Sequence, residues 1–344
     1  MRILQVITLC ELGGAQSVVA NLANGFSRMG HDVMVAAGEG DGKMWNLLDD
    51  NVQKRRVPSL KRAVSPVDEA KTIWKFHKLF KEFKPDVIHL HSSKAGVLGR
   101  LSFPKSKVVY TVHGFDSIRV AYRKFLPIEK MLKSRCKAIV GVSNYDCLNL
   151  KSENIFKNVA CVYNGIESPA MLNENPFDQF KDYRGRVVTI ARLSKPKRLD
   201  LFLKTASKLP DVAFIWIGNL TDPVGYIPSN VFFFGNRINA ASYIKFADVF
   251  MLASDFEGLP MVIIESLATG TPVVASKVGG VPELLSEMGG YAVSNDADVF
   301  AEKINNILTD SSLASQMSDA ARHSFVSHFT VERMLENYMT IYKS

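Results

Sequence analysis

Short apolar runs rich in β-branched residues alternate along this chain with segments whose apolar positions recur at helical spacing. That alternation marks parallel α/β units, in which strands are buried on both faces and helices pack back onto the sheet. In the first half it predicts strands at Arg2–Leu9, Asp32–Ala37, Val87–His91, Val108–His113, Ala138–Val142 and Val159–Tyr163. A second series follows at Arg186–Ala191, Ala213–Gly218, Val231–Phe234, Val249–Leu252, Pro272–Ala275 and Tyr291–Val293. Between the two, ESPAMLNENPFDQFKDYR loses periodicity and collects Pro, Asn and Asp, as a connection between domains does. The expected organisation is a first domain over residues 1–168, a linker over 169–184 and a second domain over 185–329. The chain then ends in helical sequence that places Phe329, Met334, Tyr338 and Ile341 near one helix face, a face that needs a surface to cover.

Length agrees with that division, since 344 residues at 47% hydrophobic can furnish two separate cores. The N-terminal apolar run is too short for a secretion signal and reads as a first strand, and no run approaches the roughly twenty residues of a membrane span. Four irregularly spaced cysteines suggest neither a zinc knuckle nor a disulfide framework, so a reducing cytoplasm is the expected setting.

Charge sharpens the picture further. The formal charge of +8 divides into +11 for residues 1–168 and −3 for the remainder. A basic first domain attracts phosphorylated ligands, anionic lipid or nucleic acid alike. Within it, KTIWKFHKLFKEFK sets Lys71, Lys75, Lys78 and Lys81 on one broad face with Trp74 among them. This is either a solvated helix packed through Ile73, Phe76 and Phe80 or a face that docks on anionic membrane.

The richest stretch for chemistry is SDFEGLPMVIIESLATGTPVVAS, between the strands VFML and PVVA. Gly258 permits close backbone approach, and Pro260 suits a first helical position. A helix starting there aims free amides and a positive dipole end outward, while Glu257 and Glu265 offer carboxylates that can grip diols. Taken alone, these are also an ordinary loop glutamate and an ordinary helix glutamate. Arg192 and Lys197, in IARLSKPKRLD, stand at a strand end where two cations can offset a diphosphate; Lys195 and Arg198 lie close by. The turn ELGGAQ brings Gly13 and Gly14 to the start of the first helix, and VVYTVHGFD ends a strand at His113, Gly114 and Asp116. His89 and His91 share a strand face, but no further ligand at supporting spacing argues for metal. Asp296 and Asp298 open a late helix, where capping explains them better than manganese binding.

Together, E-G-L-P-M-V-I-I-E, A-T-G-T-P-V-V-A-S, G-G-V-P-E, the arginine–lysine element, the glycine turn, H-G-F-D and Y-N-G-I resemble the motifs of glycosyltransferase family 4 over nearly the whole chain, and more narrowly its bacterial surface-polysaccharide enzymes. Ala191 and Arg198 depart from the family's usual glycines, and Gln16 stands where it often has glutamate. The resemblance implies the α/β GT-B fold: two Rossmann-like domains facing across a cleft, with a C-terminal helix over about 330–344 crossing back to the first. It implies a retaining, metal-independent transfer of a hexose or N-acetylhexosamine from a nucleotide diphosphate sugar, UDP foremost, with no cofactor.

By the same resemblance Glu265 grips the ribose, Glu257 the donor sugar, and Arg192 with Lys197 the departing diphosphate. Gly13, Gly14, Asn236, Gly258, Leu259, Pro260, Met261 and Val262 complete the donor contacts. His113 is the catalytic candidate on the acceptor side. Ser92, Ser93, Lys94 and Asp116 are expected to meet the acceptor, a glycan or a polyprenyl-diphosphate-linked sugar. The leaving phosphate itself is expected to take the acceptor's proton, since no side chain stands out as a nucleophile. No nucleic-acid partner is expected, and the setting is the cytoplasm or the inner face of the cell membrane. Two competing readings are a non-catalytic subunit of the same fold and a non-hydrolysing nucleotide-sugar epimerase, whose own carboxylate and histidine pattern is not found.

Overall fold

A computed structural model describes residues 1–170, 172–221 and 223–344; Met171, inside the expected linker, lies outside the described residues. The chain folds as two compact units, one of residues 1–165 with 331–344 and one of residues 166–330.

The first unit is built on seven parallel strands: β1 (Arg2–Leu9), β2 (Asp32–Glu39), β3 (Gln53–Arg56), β4 (Val87–His91), β5 (Val108–Val112), β6 (Ala138–Gly141) and β7 (Val159–Cys161). Their order is β3-β2-β1-β4-β5-β6-β7, so the topology reverses between β1 and β4. The helices are α1 (Gly14–Arg28), α2 (Pro66–Phe83), α3 (Ser93–Ser102), α4 (Leu126–Leu132) and α5 (Asn144–Ser152). Alternation decides which helix covers which face. Leu4, Val6, Ile88, Leu90 and Tyr110 join Phe76, Leu79 and Phe83 of α2 in one core.

The second unit has six parallel strands: β8 (Arg186–Ile190), β9 (Ala213–Ile217), β10 (Val231–Phe233), β11 (Val249–Leu252), β12 (Val273–Ser276) and β13 (Gly290–Val293). Their order is β10-β9-β8-β11-β12-β13, with the reversal between β8 and β11. Its helices are α6 (Leu199–Lys208), α7 (Met261–Thr269), α8 (Val281–Leu284), α9 (Ala297–Thr309) and α10 (Ser311–His328). In each unit, then, ligands are to be sought at the strand C-termini beside the reversal.

α11 (Val331–Lys343) packs on the first unit. Leu335 presses so closely on α1 that a Cβ on Gly25 would lie 2.4 Å from its Cδ1. The buried stripe is Met334, Leu335, Tyr338, Met339 and Tyr342; Ile341, expected on it, is only half-buried, and Phe329 lies before the helix.

Two further expectations change. The segment read as a linker is largely part of the second unit: Phe177 and Phe180 are buried with Val188 and Ile215, each worth roughly 1.5–3 kcal/mol of apolar burial. The sequence pattern concealed this because a short 3₁₀ turn, Asp178–Phe180, shows no amphipathic period. The strand β3, absent from the expected list, is exposed at all four positions; as a sheet edge it needs no hydrophobic alternation.

Candidate active site

At the reversal point of the second sheet, β8 ends at Ile190, one residue before the expected Ala191, and the chain turns through Arg192 and Lys197 into α6. Lys197 forms an isolated antiparallel bridge with Ser254, just beyond β11, and the Arg198 amide donates to the Ala253 carbonyl at 3.0 Å. The two segments that follow β8 and β11 are therefore stitched together. This brings the Lys197 ammonium onto the Glu257 carboxylate in an ion pair, with the Ser254 hydroxyl donating to the same Oε1 at 2.6 Å. Arg192 is exposed and makes no ion pair among the described residues. Its neighbour Arg198 differs, since Asp200 and Asp255 both hold it.

Beneath Glu257 the backbone is fixed by glycine. Gly279 has φ +55°, and a Cβ there would lie 1.8 Å from the Glu257 carbonyl oxygen. The Gly280 amide donates to the Gly258 carbonyl at 2.8 Å. The G-G pair thus clamps the loop that carries the glutamate. Ser254 is in turn held by Ser276, whose hydroxyl receives its amide at 2.8 Å and donates to Asn295 at 2.5 Å.

The loop then enters α7. Leu259, Pro260 and Met261 bury their side chains, and Val262 is half-buried. Pro260 is the residue before the helix rather than its first, extended at φ −70°, ψ 119°, and its side chain offers the first amides of α7 no cap. Other helix starts are capped by Ser65, Ser143, Asp296 and Asp310. One turn in, Glu265 is half-buried and makes no hydrogen bond or ion pair among the described residues; burial alone pushes its carboxyl up to about 7. A carboxyl held that way costs stability unless a ligand's donors meet it. Asn236 is exposed beyond β10.

In the first unit, α1 begins at Gly14 without a side-chain cap, and Gly13 is extended at φ 174°. Across the reversal, Ser92 follows β4 at φ 72°, a strained conformation for a residue with a Cβ. The strain is offset by bonds to Thr8: its hydroxyl accepts from the Thr8 amide at 3.2 Å and pairs with the Thr8 hydroxyl at 2.6 Å. His113 follows β5, with its Nε2 3.0 Å from Nδ1 of His91; burial lowers its ring to about 4, so it is neutral. The Phe115 amide donates to Asp146 at 2.7 Å, fixing the turn after it.

Two family models match successive parts of this chain. One described as Glycosyltransferase Family 4 matches residues 12–168, and one described as Glycosyl transferases group 1 matches residues 184–310. The chain belongs to glycosyltransferase family 4. It is a retaining sugar transferase with the GT-B fold. An Escherichia coli UDP-Gal:alpha-D-GlcNAc-diphosphoundecaprenol alpha-1,3-galactosyltransferase is 27% identical, over 88% of this chain and 86% of its own. The O-antigen biosynthesis glycosyltransferase WbnH of E. coli is also 27% identical, over 98% and 97%. Among solved structures, Anabaena Alr3699/HepE in complex with UDP-glucose superposes with a TM-score of 0.82 at 20% identity, covering 99% of this chain and 98% of that one.

Within this glycosyltransferase, the structure joins Lys197 to Glu257 and sets Glu265 in the helix that follows; Arg192 stands apart from them, with no ion pair among the described residues. The acceptor-side candidates are less open. Lys94 is held by Glu69 at 2.9 Å and by the Ala63 carbonyl. Asp116 spends its oxygens on Arg119 and on the Tyr145 hydroxyl. Ser92 is engaged by Thr8, and Ser93, exposed at the head of α3, meets the Tyr110 hydroxyl. Ser254 was given no role by sequence reasoning, and Gly279 was read only as part of the G-G-V-P-E motif; the spacing of Ser254 three residues before Glu257 was the available signal. Asp296 caps α9, accepting from the Asp298 amide at 2.8 Å and the Val299 amide at 3.3 Å.

Proposed function

We propose that this enzyme transfers a hexose or N-acetylhexosamine from a UDP-sugar, bound by the second domain, to a polyprenyl-diphosphate-linked glycan bound by the first. The observation that carries the reading is Glu265: an unpartnered, half-buried carboxyl beside the strand reversal and within an uncapped helix. A ribose diol supplies the two donors it lacks. Arg192 and Lys197 take the departing diphosphate, Lys197 passing from Glu257 to phosphate while Glu257 turns to the sugar hydroxyls. The chain's own cations thereby do the work for which other transferases recruit a metal. His113 is the catalytic candidate contributed by the first domain. UDP is supported by the substrate name of the E. coli relative and by the HepE complex, and the lipid-linked acceptor by the same relative's name.

A screen of nucleotide sugars for thermal stabilisation tests the donor site. UDP-sugars should raise Tm, and Glu265→Ala should erase the response. Equal stabilisation of the mutant would refute the ribose role. Transfer should also persist in excess EDTA.

The first domain is also proposed to dock on anionic lipid. Among the described residues no helix is long and apolar enough to cross a membrane. Supporting a peripheral contact, α2 buries Phe76, Leu79 and Phe83 and leaves Lys71, Lys75, Lys78, Lys81 and Trp74 exposed. Beside it, Arg55, Arg56, Lys75 and Lys78 line a groove of about 190 Å³ against one carboxylate, Glu82. Such a face attracts phosphate headgroups while its indole enters the interface.

A further inference from the structure

One face of the first sheet carries a polar seam within its otherwise apolar core. Gln5 of β1, His89 and His91 of β4 and Thr111 of β5 are all buried. His113 extends the row one step beyond β5. Both nitrogens of His89 are engaged, Nδ1 with the Tyr342 hydroxyl at 2.6 Å and Nε2 with the Thr111 hydroxyl at 2.7 Å; Thr111 also meets the Tyr338 hydroxyl at 2.9 Å. The His89 ring packs on His91 at 3.9 Å between centroids, and His91 stacks on His113 at 5.3 Å with 24° between planes. α11 therefore anchors His89, His89 backs His91, and His91 reaches His113.

Burial keeps all three rings neutral. A neutral imidazole carries one N–H, so the hydrogen between His91 Nδ1 and His113 Nε2 belongs to one ring alone. Nε2 of His91 decides which, because it is buried with no hydrogen-bond partner among the described residues. Were the proton of His91 on Nε2, a donor would be orphaned in the interior, the rarer and costlier defect; on Nδ1, it is used.

We infer that His91 is a positioning residue, donating from Nδ1 to Nε2 of His113 and so holding His113 in the tautomer protonated on Nδ1. The free nitrogen of His113 is then a hydrogen-bond donor toward a substrate oxygen and no base. This agrees with a transfer in which the leaving phosphate, not a side chain, accepts the proton. The inference deepens the proposed role of His113 and rests on it for its catalytic consequence, but not for the tautomer itself.

The test uses the full-length protein labelled with ¹⁵N-histidine, which has only seven such residues. The His113 signals are assigned by their loss in His113→Gln, and the shifts of the two ring nitrogens report which bears hydrogen. Nδ1 should be protonated and Nε2 bare; the opposite pattern overturns the inference. In kinetics, His91→Leu should lower kcat by about 10–100-fold, the range for removing a partner that orients a functional histidine, with the KM for nucleotide sugar unchanged. His91→Asn, whose side-chain amide donates from nearly the position of Nδ1, should restore most of that loss. Equal impairment of both variants, or of neither, would refute the positioning role, and the wild-type spectrum decides the tautomer even if His91→Leu fails to fold. If His113→Ala keeps full activity, the catalytic reading of His113 falls while the tautomer result stands.

Discussion

Glu265 concentrates the cost of a binding site in one side chain. Its carboxyl lies at about 7 in the folded chain against an ordinary 4.5, so the folded state holds more protons between those values. Stability therefore falls as pH rises from about 4.5 to 7, and the cost persists above that; for a partly exposed group it amounts to on the order of 2–3 kcal/mol. Glu265→Gln should denature at higher urea than the parent at pH 8 and at the same urea at pH 4.5, while losing its Tm response to UDP. The parent's affinity for UDP should weaken below pH 7, as the carboxyl that receives the diol becomes protonated. Lys197 should behave differently. Lys197→Met removes a partner from Glu257 and a cation from the departing phosphate, so kcat/KM should drop by about 10²–10³-fold, read by nucleotide release. The glutamates stood out only through the resemblance of E-G-L-P-M-V-I-I-E to the family's motif, since taken alone they read as an ordinary loop glutamate and an ordinary helix glutamate. The internal engagement of Lys94, Asp116 and Ser92 was not legible, since Glu69, Tyr145 and Thr8 lie far from them in sequence.

At the level of elements, strands were readable wherever both faces are buried. Arg2–Leu9, Val87–His91 and Val249–Leu252 were predicted to the residue, and most others within two. Such runs are near-continuous in apolar residues, a signal without competitors. What failed was the exposed edge, β3, and the turn around Phe177, whose hydrophobic contacts are tertiary. The polar seam was legible only as a pair of histidines sharing a face. The turn at Gly279 is the element whose tolerance is smallest. Gly279→Ala combines φ +55° with a Cβ 1.8 Å from the Glu257 carbonyl oxygen, so the loop must move. We expect a loss of about 2–4 kcal/mol in urea denaturation, with donor binding impaired beyond the stability loss because Glu257 is displaced. Gly25→Leu should likewise drive α11 from α1 and destabilise the first domain by at least about 1–3 kcal/mol.

For the whole molecule, the two parts of the chain divided at residue 168 carry opposite charge, +11 against −3. Sedimentation with vesicles containing anionic lipid should therefore be strong at low salt and fall as salt rises, and Lys75→Glu with Lys78→Glu should weaken it without changing UDP stabilisation. No sedimentation at any ionic strength would remove lipid docking from the proposal. The order of synthesis adds a constraint of a different kind. The second domain is one continuous stretch of chain, but the first is written in two instalments, and Tyr338 and Tyr342 in the last of them cover His89 and Thr111. On the ribosome, the first domain must wait with its seam uncovered until α11 has emerged. A nascent chain stopped short of α11 therefore leaves His89 and Thr111 without the tyrosine hydroxyls that satisfy them.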